Sequence, residues 1–186
     1  IRAIATTLCR YPLPPMIIDP VMVSTSGSRL MEPDALSLFQ ATLLPLSTLL
    51  TPNIPEAELL AGRPIHGLED MKAAARQILQ MGPKAVLVKG GHGQGREKTD
   101  LLLIDGSFHT FSSATISTRN THGTGCTLSS AIASFVARGQ GICEAVASAK
   151  AYLYEALRAG ADVSVGEGHG PVNHFYDPQP LILTEQ

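Results

Sequence analysis

Short apolar runs, each too brief to be a helix, alternate along this chain with longer stretches of helical period. That alternation confines it to βαβ units built on a parallel sheet. The first run, Pro15 to Val21, carries Met16-Ile17-Ile18 and reads as a buried strand. A turn-rich segment, Ser24 to Ser28, precedes a helix from Pro33 to Leu44, with Pro33 in the first turn where its missing N–H costs little. A second strand over Thr48 to Leu50 ends at Thr51-Pro52-Asn53, and Asn53 caps a helix that stops at Gly62. From Leu68 to Met81, residues Met71, Ala74, Ala75, Ile78 and Leu79 share one helical face, and Ala85 to Val88 is again a buried strand.

The rhythm then changes. Leu101 to Ile104, Asp105-Gly106 and Phe108 to Phe111 spell a β-hairpin. A further strand from Thr115 to Arg119 leads to Thr121-His122-Gly123-Thr124-Gly125-Cys126, and helices follow over Thr124 to Arg138 and Ile142 to Ala159. Gly90 to Lys98, rich in glycine and charge, reads as a mobile loop.

A chain of 186 residues with 44% hydrophobic residues buries one sizeable core, so a single domain is expected. Only 16% of residues are charged and the formal net charge is -2, which argues against a nucleic-acid partner. No stretch approaches the roughly 20 apolar residues of a membrane helix, and the start lacks a secretory pattern. Cys9, Cys126 and Cys143 form neither a disulfide framework nor a CxxC pair, an arrangement that suits a reducing cytosol. The chain opens on Ile1 inside what reads as a helix, so a cut precursor or a missing beginning is expected.

The glycines of Gly123-Thr124-Gly125-Cys126 let the backbone turn tightly, so that successive N–H groups converge at a helix start. The helix dipole adds about half a positive charge there, suited to an anion that gains charge during reaction. An ordinary strand-to-helix turn stays open as the other reading; a Walker loop is excluded because no Gly-Lys-Ser/Thr follows. Cys126 falls in the first turn, a setting that favours thiolates, and is a candidate general base. Its residue type alone points more readily to a buried packing cysteine, and Cys9 and Cys143 read as packing residues. Asn53 and Glu56, three apart, offer an amide and a carboxylate for Mg²⁺ through water; a capping box, which needs no ligand, explains them more simply. Lys89 ends a strand and Asp19 ends another, both at the carboxyl edge where ligands bind in open α/β sheets. A solvated lysine and a turn aspartate remain the alternatives. The six histidines lack HxH and HExxH spacing, which argues against a zinc-type site. His66, His109 and His169 are expected in exposed loops or strands. Gly91-His92-Gly93-Gln94-Gly95 lacks the helix and downstream acid of a dinucleotide fingerprint. Asp19, Asn53, Glu56, Lys89 and the cradle nevertheless converge on one sheet edge, so one crevice can hold them all.

Five ordered motifs carry a family resemblance. They are Asp19-Pro20-Val21-Met22-Val23 with Ser26-Gly27, Thr51-Pro52-Asn53-Ile54-Pro55-Glu56, Val88-Lys89-Gly90-Gly91-His92, Gly123-Thr124-Gly125-Cys126-Thr127-Leu128-Ser129, and Gly168-His169-Gly170-Pro171-Val172-Asn173-His174. The chain resembles the hydroxymethylpyrimidine/phosphomethylpyrimidine kinases of thiamine biosynthesis, within the ribokinase-like superfamily. The cysteine after Gly-Thr-Gly is discriminating, since most of that superfamily has aspartate there. The resemblance implies a three-layer α/β/α sandwich with a mainly parallel central sheet. It also implies ATP, Mg²⁺ and phosphorylation of hydroxymethylpyrimidine and then its monophosphate.

Carried onto this sequence, Gly123, Thr124 and Gly125 would form the anion hole and Cys126 would take the base position. Lys89, Thr121, Asn53 and Asp19 would lie at the ATP phosphates, Asn53 and Glu56 would organise Mg²⁺ through water, and Val21 and Met22 would meet the pyrimidine. The family's opening third has no counterpart, so the fold is expected to lack its N-terminal part and much of its acceptor pocket. A sheet short of strands would expose an edge or an apolar face. The fragment alone is then expected to be impaired, and the whole protein to be a cytoplasmic homodimer. Pyridoxal kinase is the alternative within the class. A hydro-lyase repairing hydrated nicotinamide cofactor is the alternative outside it, and Cys126 counts against that one. A non-catalytic nucleotide-binding module is the third.

Overall fold

The central strands are apolar on both faces, so helices must cover both. The structure, a computed structural model, describes residues 1–22, 30–91 and 95–178. Its elements run α1 (Arg2–Leu8), β1 (Ile17–Ile18), α2 (Pro33–Thr42), β2 (Leu49–Leu50), α3 (Ile54–Ala61), α4 (Leu68–Leu79), β3 (Ala85–Val88), β4 (Glu97–Ile104), β5 (Ser107–Ala114), α5 (Thr124–Ala137) and α6 (Ile142–Gly160). The described strands form one sheet in the order β1-β2-β3-β4-β5. The pairs β1/β2 and β2/β3 are parallel, while β3/β4 and β4/β5 are antiparallel.

Side-chain alternation sorts the core into two layers. Leu50, Val86, Val88, Leu101 and Leu103 face Phe39, Leu60, Met71, Ala75 and Ile78 from α2, α3 and α4. Leu49, Ala85, Leu87 and Leu102, one residue out of step, face Leu128, Ile132, Val146 and Ala149 from α5 and α6. The result is the expected α/β/α sandwich. Within α4 the buried residues are Met71, Ala74, Ala75 and Ile78, as the helical period requires.

Asp105 and Gly106 both take positive φ, 49° and 74°, which matches the turn to the right-handed twist of the hairpin. The strands on either side are longer than their apolar runs suggest: Glu97 and Lys98, expected in a mobile loop, pair with Ala114 and Ser113. Residues 92–94 of that loop, and the turn expected at Ser24 to Ser28, lie outside the described residues. Helix α2 ends at Thr42 rather than Leu44, because Pro45 can supply no helical N–H, and a 3₁₀ turn takes over at Leu44–Leu46. The strand expected over Thr115 to Arg119 does not form. The Thr115 N–H still reaches the Arg96 carbonyl, and beyond it the Thr118 hydroxyl donates to the Ala161 carbonyl and accepts the Asn120 N–H, tying the segment to the end of α6.

Candidate active site

Three loops meet above the carboxyl ends of β1, β2 and β3. Asp19 follows Ile18 directly, Thr51 follows β2, and Lys89 follows β3. Lys89 Nζ donates to Asp19 Oδ1 at 2.7 Å, and both side chains are only 13% exposed. The Thr51 hydroxyl donates to the same oxygen at 3.2 Å. The Lys89 N–H is held at 2.8 Å by the Pro52 carbonyl, and Lys89 forms a parallel bridge with Asn53.

Asn53 caps α3 in a complete capping box: its Oδ1 accepts the Glu56 N–H at 2.9 Å, and Glu56 Oε2 accepts the Asn53 N–H at 2.8 Å. Glu56 Oε1 also accepts the Met22 N–H at 3.4 Å. The Glu56 carboxyl is buried, and that burial raises its pKa above the ordinary value; the Asn53 N–H and the Lys89 cation pull the other way, while the Asp19 charge adds to the rise. The capping reading of this pair is therefore realised, and it commits the Asn53 oxygen to α3. Any cation here would depend on Glu56 and Asp19. The described residues hold no group of three His, Cys, Asp or Glu side chains able to cage a metal ion. A carboxylate pair of this kind suits an ion that keeps its own waters and takes the remaining oxygens from phosphate, as Mg²⁺ does.

The cradle closes the crevice from the other side. Gly123, at φ 81°, is the N-cap of α5, a left-handed position where other residues are strained, and no side chain caps the helix. The Thr127 N–H and hydroxyl both donate to the Gly123 carbonyl at 2.8 Å, and the Thr124 N–H reaches the Thr121 carbonyl at 3.4 Å. Thr121 itself is exposed. A Cβ placed on Gly125 would stand 3.3 Å from Asp19 Oδ2 and 3.3 Å from Lys89 Nζ, a tight contact with the ends of two side chains, so the glycine eases the close approach of the helix start to the ion pair. The orphan N–H groups of the first turn and the Lys89 cation thus address the same space.

Cys126 is exposed, not the packing cysteine its type suggests, and borders a cleft of about 490 Å³ with His122, Thr127 and His174. Cys9 is exposed too, whereas Cys143, in the first turn of α6, is half-buried against the core layer that α5 and α6 cover. Val21 is half exposed. Met22 departs from expectation: its side chain is fully buried in the α2–α4 core, so it supports the site from beneath and does not face the crevice. His66 and His169 are exposed, while His109 is half-buried.

Two supports were not legible from the motifs. Asn120 Nδ2 donates to the Gly160 and Val163 carbonyls at 2.7 and 2.6 Å, and the His122 N–H donates to the Gly170 carbonyl at 3.1 Å. With the Thr127 hydroxyl 2.9 Å from His174 Nε2, the Gly168-to-His174 motif becomes a brace for the cradle. Its aperiodic glycines after a long helix were the available signal.

The sequence profile of the family described as phosphomethylpyrimidine kinase matches residues 1–173. The chain belongs to the phosphomethylpyrimidine kinase family. It is 48% identical over 161 residues to the hydroxymethylpyrimidine/phosphomethylpyrimidine kinase of Rhizobium meliloti, covering 86% of this chain and 60% of that protein. Among solved structures, a phosphomethylpyrimidine kinase from Clostridium difficile is 43% identical at a TM-score of 0.72, over 83% of this chain and 62% of that one. The pyridoxal kinase of Staphylococcus aureus in complex with AMP-PCP and pyridoxal is 30% identical at a TM-score of 0.84, over 94% and 62%. The chain thus spans less than two thirds of these family relatives. No helix among the described residues is long and apolar enough to cross a membrane.

Proposed function

We propose that this chain carries the nucleotide-phosphate half of a kinase that moves the terminal phosphoryl group of ATP to hydroxymethylpyrimidine and to its monophosphate, a step of thiamine biosynthesis. The observation that supports it most directly is the approach of Gly125 to the Asp19–Lys89 pair. A fixed cation, a helix start and a cluster of backbone donors then share one phosphate-sized space, which is what phosphoryl transfer asks of a protein.

In this reading Lys89 and the N–H groups of Gly123 and Gly125 hold the terminal phosphate, while the Thr124 N–H, donated to the Thr121 carbonyl, fixes the turn. Asp19 steers Lys89. The acceptor hydroxyl oxygen bonds to the terminal phosphorus as its bond to the bridging oxygen breaks, and the hydroxyl proton passes to Cys126 Sγ. Glu56 and Asp19 would orient the waters of Mg²⁺, while Asn53 positions Glu56. When bound, that ion neutralises charge between the phosphates. Val21 would lie against the acceptor ring. Action in the cytoplasm, and homodimeric assembly of the whole protein, belong to the same reading; sedimentation of the full-length protein tests the latter.

Calorimetry of the chain with Mg-ATP, followed by a phosphorylation assay on hydroxymethylpyrimidine, tests the proposal. Nucleotide binding is expected; its absence would refute the phosphate-site reading. The likeness to a pyridoxal-bound kinase favours pyridoxal as the second acceptor. Catalytic efficiency on the two acceptors, compared side by side, decides between them.

A further inference from the structure

Beyond the crevice, Asp100 of β4 is buried, and both of its carboxylate oxygens are used. Oδ1 accepts the Gly90 N–H at 2.8 Å, and Oδ2 accepts Lys150 Nζ from α6 at 2.6 Å. Lys150 Nζ also donates to the Lys98 carbonyl at 3.2 Å. The Asp100 and Lys150 side chains are 9% and 12% exposed, so each buried charge is compensated by the other. Gly90 is the residue after Lys89. A Cβ on Gly90 would collide with the Thr99 carbonyl, so the corner reaches Asp100 only because it lacks one.

We propose that Asp100 is a positioning residue for Lys89. Two successive peptide N–H groups flank the Lys89 α-carbon. Its own is fixed by the Pro52 carbonyl on the β2 side, and the next is fixed by Asp100 on the β4 side. The lysine therefore leaves the sheet from a backbone clamped on both sides. A charge-assisted bond to a carboxylate holds that corner more tightly than a neutral acceptor does, and the Lys150 bond to the other oxygen keeps the carboxylate aimed. A simple strut between α6 and the sheet would use the Lys150 bond alone; the second oxygen, turned onto Gly90, is what links the network to the site. The proposal rests on the reading of Lys89 as a ligand of the terminal phosphate.

The test compares the 186-residue chain with Asp100→Ala, Asp100→Asn, Lys150→Met and Lys89→Met. Dissociation constants for Mg-ATP and Mg-ADP are measured by calorimetry, and Gly90 amide exchange by NMR. Loss of Asp100 is expected to weaken Mg-ATP about tenfold while Mg-ADP changes less than about twofold, because only the terminal phosphate needs Lys89 in place. Gly90 exchange accelerates while Leu102 stays protected. Asp100→Asn, which keeps an acceptor for Gly90, restores most of that protection. Lys150→Met, which leaves the Gly90 bond in place, reproduces the ATP-selective loss in weaker form should Asp100→Ala fail to fold. Equal weakening of both nucleotides, or unchanged Gly90 exchange, overturns the positioning role. A wild-type chain that binds neither nucleotide overturns the phosphate reading itself, and this proposal with it. Loss of ATP binding in Lys89→Met with none in the Asp100 variants overturns the positioning role alone.

Discussion

Lys89 Nζ and Asp19 Oδ1, seventy positions apart in the chain, stand 2.7 Å apart beneath the first turn of α5. Lys89→Met leaves the Asp19 carboxylate largely buried with no cation beside it, and breaking a buried pair from one side costs about 3 kcal/mol. Urea unfolding should register that loss. The double variant Asp19→Asn/Lys89→Met should recover part of the stability and none of the nucleotide binding.

The two cradle glycines should respond differently. Gly123 is left-handed, so Gly123→Ala is expected to cost about 1–2 kcal/mol of stability. Gly125→Ala should fold nearly as well, since its added methyl meets only the ends of two side chains, yet it should displace the ion pair and weaken Mg-ATP about tenfold. Melting curves and calorimetry on the two variants separate the effects.

Burial raises the Glu56 pKa above the ordinary value of 4.5. The folded chain therefore holds this proton more tightly than the unfolded chain does. Between 4.5 and the raised folded value, this group's contribution to stability falls as pH rises, and beyond the folded value it levels off. Glu56→Gln, whose amide oxygen can still accept the Asn53 N–H, should lack that slope. Denaturation of both proteins across mildly acidic pH should show the wild type losing stability relative to the variant as pH increases.

Cys126 is exposed, so Cys126→Ala should change stability by less than about 0.5 kcal/mol. Nucleotide affinity should be unchanged. In full-length protein, turnover should fall by about a hundredfold or more if the thiol handles the proton. Undiminished turnover would remove it from the mechanism.

The parts of this molecule legible in its sequence are those written in local periods. The α4 stripe, the Asp105-Gly106 turn and the doubly apolar strands needed no knowledge of distant partners. The carboxyl-edge placement of Asp19 and Lys89 followed from the alternation, but their direct bond did not, because pairing across seventy residues leaves no local trace. Met22 shows the same limit in reverse. Its position beside Val21 suggested one face of the site, and only the packing of α2 to α4 decided that its side chain turns inward. Thr115 to Arg119 carried strand-like residues, yet beyond the Thr115 N–H on the Arg96 carbonyl no ladder forms, and the Thr118 hydroxyl ties the segment to the end of α6.

The strands β1 and β2 are two residues long, while β4 and β5 each run for eight. Stiffness is therefore unevenly shared beneath the crevice. Lys89 leaves a strand paired on both sides, next to the long hairpin, whereas Asp19 leaves a two-residue strand at one edge of the described sheet. In the proposed reading, a polyphosphate entering beside this pair would meet a lysine anchored against the long hairpin and a carboxylate anchored on an edge strand, so Asp19 is the side expected to move. The lysine side would then act as a fixed datum, and any opening of the pair would fall on Asp19.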